Sequence, residues 1–199
     1  DCEIILHLYK QFGFQKTIEK LDGVFSCVLI DKDVMYVARD PIGVRPLFIG
    51  NKGNDIMFSS EMKAIHELAD NIEQFPPGTI WNSKEKIFIK YYDPDIIYNK
   101  NHNDNEITVL QNISDLFINA VDKRLMSDRP IGCMLSGGLD SSLVAAILSS
   151  KIKNLQTFSV GLEGATDLEY AKKVADHIGS NHTEIIVTEK EMIDAIPNV

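Results

Sequence analysis

The chain has 199 residues, 44% of them hydrophobic and 25% charged, and 20 Lys and Arg stand against 29 Asp and Glu for a formal net charge of −9. It is apolar enough to build a core, too mixed to be disordered, and long enough for one large or two small domains. The acidic balance supplies no clustered positive field and so argues against nucleic-acid or anionic-membrane partners, and the apolar runs are too short to span a membrane.

The chain opens on Asp1-Cys2-Glu3, with no Met and no charged-then-apolar leader, inside a helical pattern. Ile4, Ile5, Leu8 and Phe12 recur at helical spacing, which predicts a helix over residues 2–11 ended by Gly13. A second short helix is expected over 14–21, stopped by Asp22-Gly23. From Val24 the texture turns to alternation, and 24–31 and 34–40 read as strands joined at Asp31-Lys32-Asp33. Residues 46–50 and 56–60 read as another hairpin around the turn at 51–55. A helix is expected over 61–69, and strands at 79–82 and 87–92 follow the turn Phe75-Pro76-Pro77-Gly78. The first half is thus expected to be a hairpin-rich, antiparallel α+β domain.

Residues 93–106 are polar, asparagine-rich and opened by Pro94, the composition of a linker. Domain boundaries are accordingly placed at 1–98, 99–106 and 107–199. Beyond the linker the rhythm alternates. Ile107, Leu110, Ile113, Leu116, Phe117, Ala120 and Val121 predict a long amphipathic helix over 107–126. A strand at 131–135, a helix at 142–153 and a strand at 156–160 follow. Then comes a helix at 167–178, introduced by a capping-box pattern at Thr166-Asp167-Leu168-Glu169, and a strand at 182–187. Strands separated by helices imply a parallel sheet. A further helix begins near Val199.

Three cysteines without a CxxC pair match neither a disulfide framework nor a zinc site, and a cytoplasmic protein is expected. Cys27 and Cys133 alternate with apolar residues and read as core thiols. His177 and His182 straddle a helix end and a strand without a third ligand nearby, and are not taken as metal ligands. Lys123, Arg124 and Arg129 read as the wet face of a helix.

The sharpest feature is Ile131-Gly-Cys-Met-Leu-Ser136-Gly137-Gly138-Leu139-Asp140-Ser141-Ser142, at a strand end and a helix start. Adjacent glycines let backbone N–H groups approach a ligand, and Ser136, Ser141 and Ser142 add hydroxyl donors. The helix that follows points its positive end at the same place, so the stretch forms an anion cradle suited to phosphates. It is neither a Walker A loop, whose lysine is missing, nor a GxGxxG fingerprint. Asp140 would repel a bare phosphate and makes sense with Mg²⁺ between them. The plain alternative is a serine-rich helix cap.

The string SGGLDSS resembles the pyrophosphate loop of the ATP-pyrophosphatase group. The longer runs RLMSDRPIGCMLSGGLDSSLVAAIL and LQTFSVGLEGATDLEYAKKVADHIGSNH are similar to the synthetase domain of glutamine-hydrolysing asparagine synthetases. Upstream, DCEIILHLY, LDGVFSCVLID, ARDPIGVRPLF and SSEMKAI resemble the later part of that family's glutaminase domain. The resemblance implies the fold: the late part of an N-terminal-nucleophile glutaminase (an antiparallel αββα sandwich), then a Rossmann-like parallel α/β ATP-pyrophosphatase domain. It implies that Ser136, Gly137, Gly138, Asp140, Ser141 and Ser142 hold pyrophosphate and that Asp140 holds Mg²⁺. Leu135 and Val160 would meet the adenosine through backbone groups, at strand ends where parallel sheets place ligands. The reaction implied is adenylation of aspartate by ATP to β-aspartyl-AMP, then displacement of AMP by ammonia released from glutamine. ATP, Mg²⁺, aspartate and glutamine are the small molecules expected, with no nucleic acid and no membrane, and a homodimer is admitted.

The family's glutaminase uses an N-terminal cysteine whose free amine serves as base. Cys2 stands behind Asp1 and reads as a helix residue, so no catalytic nucleophile is assigned, and the chain by itself is expected to show neither glutaminase nor synthetase activity. Asp1 matches an aspartate that binds the glutamine α-amino group, with a helix N-cap as the alternative. Arg39-Asp40, Gly43, Arg45 and Pro46 resemble an amidotransferase signature, read as scaffolding with Gly43 in a turn and Arg39 or Asp40 in a buried ion pair. A direct substrate role is the alternative. Two other functions remain open: a related amide- or β-lactam-forming adenylating synthetase, and a non-catalytic nucleotide-binding module.

Overall fold

Alternation over residues 24–40 throws successive side chains to opposite faces, and it becomes a hairpin of β1 (Ser26–Asp31) and β2 (Val34–Arg39), paired from Ser26↔Arg39 to Asp31↔Val34. The two-residue turn places Lys32 at φ 53°, the left-handed conformation that matches strand twist. The computed structural model describes residues 2–93 and 105–198. It divides the chain into two units, Asp1–Asn101 and His102–Val199. Among the described residues no helix is long and apolar enough to cross a membrane.

In the first unit, α1 (Glu3–Phe12) and α2 (Phe14–Lys20) meet at Gly13, whose φ of 77° closes the first helix. The hairpin extends through β6 (Thr79–Asn82) and β7 (Phe88–Lys90) into an antiparallel sheet of order β1-β2-β6-β7. A second antiparallel sheet, β4-β3-β5, is built from β3 (Phe48–Lys52), β4 (Asp55–Ser59) and β5 (Asn71–Gln74). Neighbouring strand residues sort to opposite layers. Val37 and Trp81 pack with Leu47, Ile49 and Phe75, while Ala38 and Ile80 pack with Phe14, Ile18 and Leu29. The first sheet is therefore covered by the helices on one face and by the second sheet on the other. Burial pushes the half-buried Cys27 thiol up to about 11, against the lowering effect of its bond with the Ala38 backbone.

The second unit starts with α3 (Glu106–Asp122), whose N-cap Asn105 accepts the Ile107 amide, and a 3-10 turn (Lys123–Leu125) ends it. Strands β8 (Gly132–Met134), β9 (Gln156–Leu162) and β10 (Asn181–Val187) form a parallel sheet of order β10-β9-β8. The crossovers are α4 (Leu139–Lys151) and α5 (Thr166–Ile178). Val121, Cys133, Leu135, Ala145, Leu148, Leu155, Ala171 and Ala175 form its core. Lys151 Nζ lies 2.7 Å from Asp122 and ties α4 to α3. The chain thus combines antiparallel and parallel sheets in one mixed α/β architecture.

Several elements differ from the sequence expectation. Only Met62–Ala64 is helical, and as a 3-10 turn, within the expected helix 61–69. That segment instead wraps the outer face of β3, where a Cβ on Gly50 would lie 2.9 Å from the Ala69 Cβ and 3.1 Å from Ile65. Strand β5 has no sequence forecast, because Ile72 is its single apolar residue and its backbone pairing with β3 holds it in place. The capping box at Thr166 does not form. Ala165 is the N-cap and has no side-chain acceptor, and Glu169 turns to Lys173 at 2.7 Å. A capping box forms instead between Thr188 and Glu191, at the start of α6 (Glu189–Ala195).

Candidate functional site

The loop between β8 and α4 begins where the Leu135 amide donates to the Phe158 carbonyl at 2.8 Å, the last rung between β8 and β9. Gly137 then takes φ 79°, and Gly138, at φ −71° and ψ 164°, caps α4. A Cβ on Gly137 would sit 2.5 Å from the Ala171 amide nitrogen and 2.7 Å from the Tyr170 Cβ. Both the left-handed backbone and the close approach to α5 therefore demand glycine there. The helix starts at Leu139, three residues before the sequence expectation, so Asp140, Ser141 and Ser142 occupy its first turn. The orphan amides of that turn and the helix dipole converge on the loop.

Hydroxyl groups brace the turn. Ser136 Oγ lies 3.0 Å from Ser141 Oγ, and Ser141 Oγ also contacts the Ser136 amide at 3.3 Å. Ser142 Oγ donates to the Gly138 carbonyl at 2.6 Å. Beside the loop opens a cleft of about 240 Å³ lined by Met134, Leu135, Ser136, Ser141, Phe158, Ser159, Val160, Asp167 and Leu168. Of the residues expected to hold nucleotide, Leu135, Ser136, Ser141 and Val160 meet in this cleft. Gly137, Gly138, Asp140 and Ser142 shape the adjoining turn. Backbone groups of a parallel strand face alternate edges. Phe158 bonds toward β8, so Val160, two residues on and past the end of β8, turns its N–H and C=O to the open cleft.

Ser159 and Asp167 lie in the cleft wall without having been signalled by the sequence. The available clue was position alone: Ser159 lies within β9, next to Val160, and Asp167 in the first turn of α5, the helix that follows that strand. Asp140 is exposed. Among the described residues no three His, Cys, Asp or Glu side chains come together as a metal cage. Mg²⁺ in nucleotide sites takes one or two carboxylates together with phosphate oxygens and water. Asp140, exposed in the first turn of α4, is a carboxylate of the kind such a site uses.

Arg39 and Asp40 are both buried, and no salt bridge joins them among the described residues. The expected ion pair is replaced by backbone bonding. Arg39 donates to the carbonyls of Arg45, Phe75 and Gly43 at 2.8, 2.7 and 2.8 Å. Asp40 accepts the amides of Ile42, Gly43, Val44 and Arg45 at 2.7 to 3.1 Å. Burial alone would raise the Asp40 carboxyl, but the four amides outweigh it and hold its pKa below the usual value. Gly43, at φ 75°, has room for no side chain, since a Cβ would lie 2.9 Å from Pro77. The loop reads as scaffold. Asp1 lies outside the described residues.

Family models match both units. One described as a glutamine amidotransferase domain covers residues 1–67, and one described as asparagine synthase covers residues 112–199. The root asparagine synthetase [glutamine-hydrolyzing] of Pisum sativum is 42% identical across 100% of this chain and 36% of its own length. Asparagine synthetase [glutamine-hydrolyzing] 1 of Lotus japonicus is 41% identical over the same shares. Among solved structures, a glutamine phosphoribosylpyrophosphate amidotransferase from B. subtilis overlaps at TM-score 0.44 with 17% identity, over 98% of this chain and 43% of that one, too low to bear on the fold. A segment that matches a glutamine amidotransferase domain, followed by a parallel α/β segment that matches asparagine synthase, defines the class. Along its whole length the chain is similar to glutamine-hydrolysing asparagine synthetases. It spans 35–39% of the length of curated relatives such as these.

Proposed function

We propose that this chain forms part of an ATP-dependent, glutamine-hydrolysing asparagine synthetase. Residues 1–98 belong to its amidotransferase domain, 99–106 to a linker and 107–199 to its ATP-pyrophosphatase domain. In this reading the helix-covered pair of antiparallel sheets is the late part of an N-terminal-nucleophile glutaminase, and the parallel unit is Rossmann-like. The observation that carries the proposal is the glycine–serine turn at the head of α4, opening on a cleft that Leu135 and Val160 line.

The aspartate β-carboxylate attacks the α-phosphorus of ATP, the bond to pyrophosphate breaks, and β-aspartyl-AMP forms. Ammonia from glutamine then attacks the acyl carbon and AMP leaves, which gives asparagine. The carboxylate is already ionised, so the first step needs no general base. Loop amides and the dipole of α4 hold the pyrophosphate charge through residues 136–142, so catalysis is mostly positioning and electrostatics. Leu135 and Val160 receive the adenosine, and Asp1 binds the glutamine α-amino group. Asp140 would hold Mg²⁺, which would supply charge neutralisation for the phosphates.

Titration calorimetry of ATP against the chain tests this reading. With Mg²⁺ present, Asp140→Asn is expected to bind about tenfold more weakly than the parent, a difference of ~1.4 kcal/mol. In EDTA the two should converge. Equal affinities in Mg²⁺ would remove Asp140 from the site.

A further inference from the structure

A chain of polar side chains runs across the buried face of the parallel sheet and ends at the cleft. Thr157 and Ser159 are adjacent on one face of β9, and are 0% and 4% exposed. His182, in register with Thr157 on β10, has its side chain 10% exposed. Its ring spans the two hydroxyls, with Nδ1 2.9 Å from Thr157 Oγ1 and Nε2 3.1 Å from Ser159 Oγ. Thr157 Oγ1 lies 2.8 Å from Ser180 Oγ, and Glu184 Oε1 stands 4.0 Å from His182 Nε2.

Buried polar groups must each find a partner, and a neutral imidazole offers one donor and one acceptor nitrogen. The direction of the chain therefore depends on which nitrogen carries the proton. A proton on Nδ1 would turn the Ser159 hydroxyl back to Nε2 and leave only its lone pairs for the cleft. A proton on Nε2 donates to Ser159 and frees the Ser159 O–H. The Glu184 carboxylate beside Nε2 favours the second arrangement, because negative charge stabilises the N–H dipole pointed toward it. Ser180 then donates to Thr157, Thr157 to Nδ1, Nε2 to Ser159, and Ser159 into the cleft it shares with Ser136, Ser141 and Val160.

We propose that His182 is a positioning residue that fixes Ser159 as a hydrogen-bond donor, aimed at a ribose or phosphate oxygen of the bound nucleotide. This rests on the nucleotide reading of the cleft.

The test is calorimetric titration of ATP·Mg²⁺ against the parent chain and its variants, with thermal melts alongside. Ser159→Ala should weaken binding about tenfold, the scale of one hydrogen bond to a polar or charged acceptor. His182→Ala should cost the same, and the double variant no more than Ser159→Ala alone. His182→Gln, whose amide can donate from the place of Nε2, should return to within about twofold of the parent. His182→Asn, which reaches only the place of Nδ1, should stay weak. In the parent, ¹⁵N imidazole spectra should show the proton on Nε2. Additive losses, a glutamine variant as weak as alanine, or a proton on Nδ1 would overturn the proposal. So would a His182→Ala variant that melts early yet binds ATP like the parent, and that result leaves the nucleotide reading standing. A parent chain that binds no ATP overturns both.

Discussion

Alanine at position 137 is expected to collapse the glycine–serine loop and abolish ATP binding. Its Cβ would fall 2.5 Å from the backbone of α5, which has no flexible side chain to yield, and φ 79° adds the strain of a left-handed non-glycine residue. Left-handed strain and overpacking together cost about 2–4 kcal/mol. In a unit of this size that lowers the melting temperature by roughly 10 °C or more. Gly138→Ala is the matched control. Its backbone is at φ −71°, and a new Cβ would meet nothing closer than Ser136 Oγ at 3.5 Å. Differential scanning calorimetry and ATP titration on the two variants should separate them. Equal behaviour would mean that the loop does not rest on α5 as described.

The second large effect belongs to Asp40. Truncation to alanine strands four part-buried amide donors that close the loop, a loss of about 3–5 kcal/mol. Asp40→Asn keeps one acceptor oxygen and should lose about half as much by denaturant unfolding at neutral pH. The pH dependence follows from the sign of the shift. The folded pKa lies below the unfolded value, so the carboxylate's stabilisation is complete above the unfolded pKa and disappears as pH falls through the folded one. The stability gap between the parent and Asp40→Asn should therefore be widest near neutrality and shrink in acid. A gap that stays constant down to about pH 2 would show that the charge on Asp40 is not what the loop amides bind.

Both effects sit on residues the sequence singled out, but for reasons it could only half supply. Gly137 was legible as a glycine that lets backbone near a ligand. Its second constraint, the approach of Tyr170 and Ala171, comes from a helix more than thirty residues away and has no local signature. Arg39 and Asp40 were legible as scaffold, with one or the other expected in a buried ion pair. Each instead closes a turn by binding backbone, because the loop 41–45 brings its amides to the carboxylate while Phe75 and Gly43 bring carbonyls to the guanidinium. The helix expected over 61–69 failed for a similar reason. Its apolar residues Ile65 and Ala69 are spaced for a helix face, yet they are held by the gap over Gly50.

By itself the sequence determined the two textures of the chain, the hairpin at residues 24–40, the parallel alternation after residue 130, and the glycine–serine loop at 135–142. These are set by periodicity and by backbone freedom within a few residues, which any local window contains. Only the tertiary structure decided that Asp167 and Ser159 line the cleft, that β5 is a strand at all, and that His182 bridges Thr157 to Ser159. Those facts depend on which strand lies beside which, and on the register Thr157↔His182 that puts one imidazole within reach of both hydroxyls. Contacts between residues twenty-five positions apart follow from sheet order, and sheet order is written in packing across the whole unit.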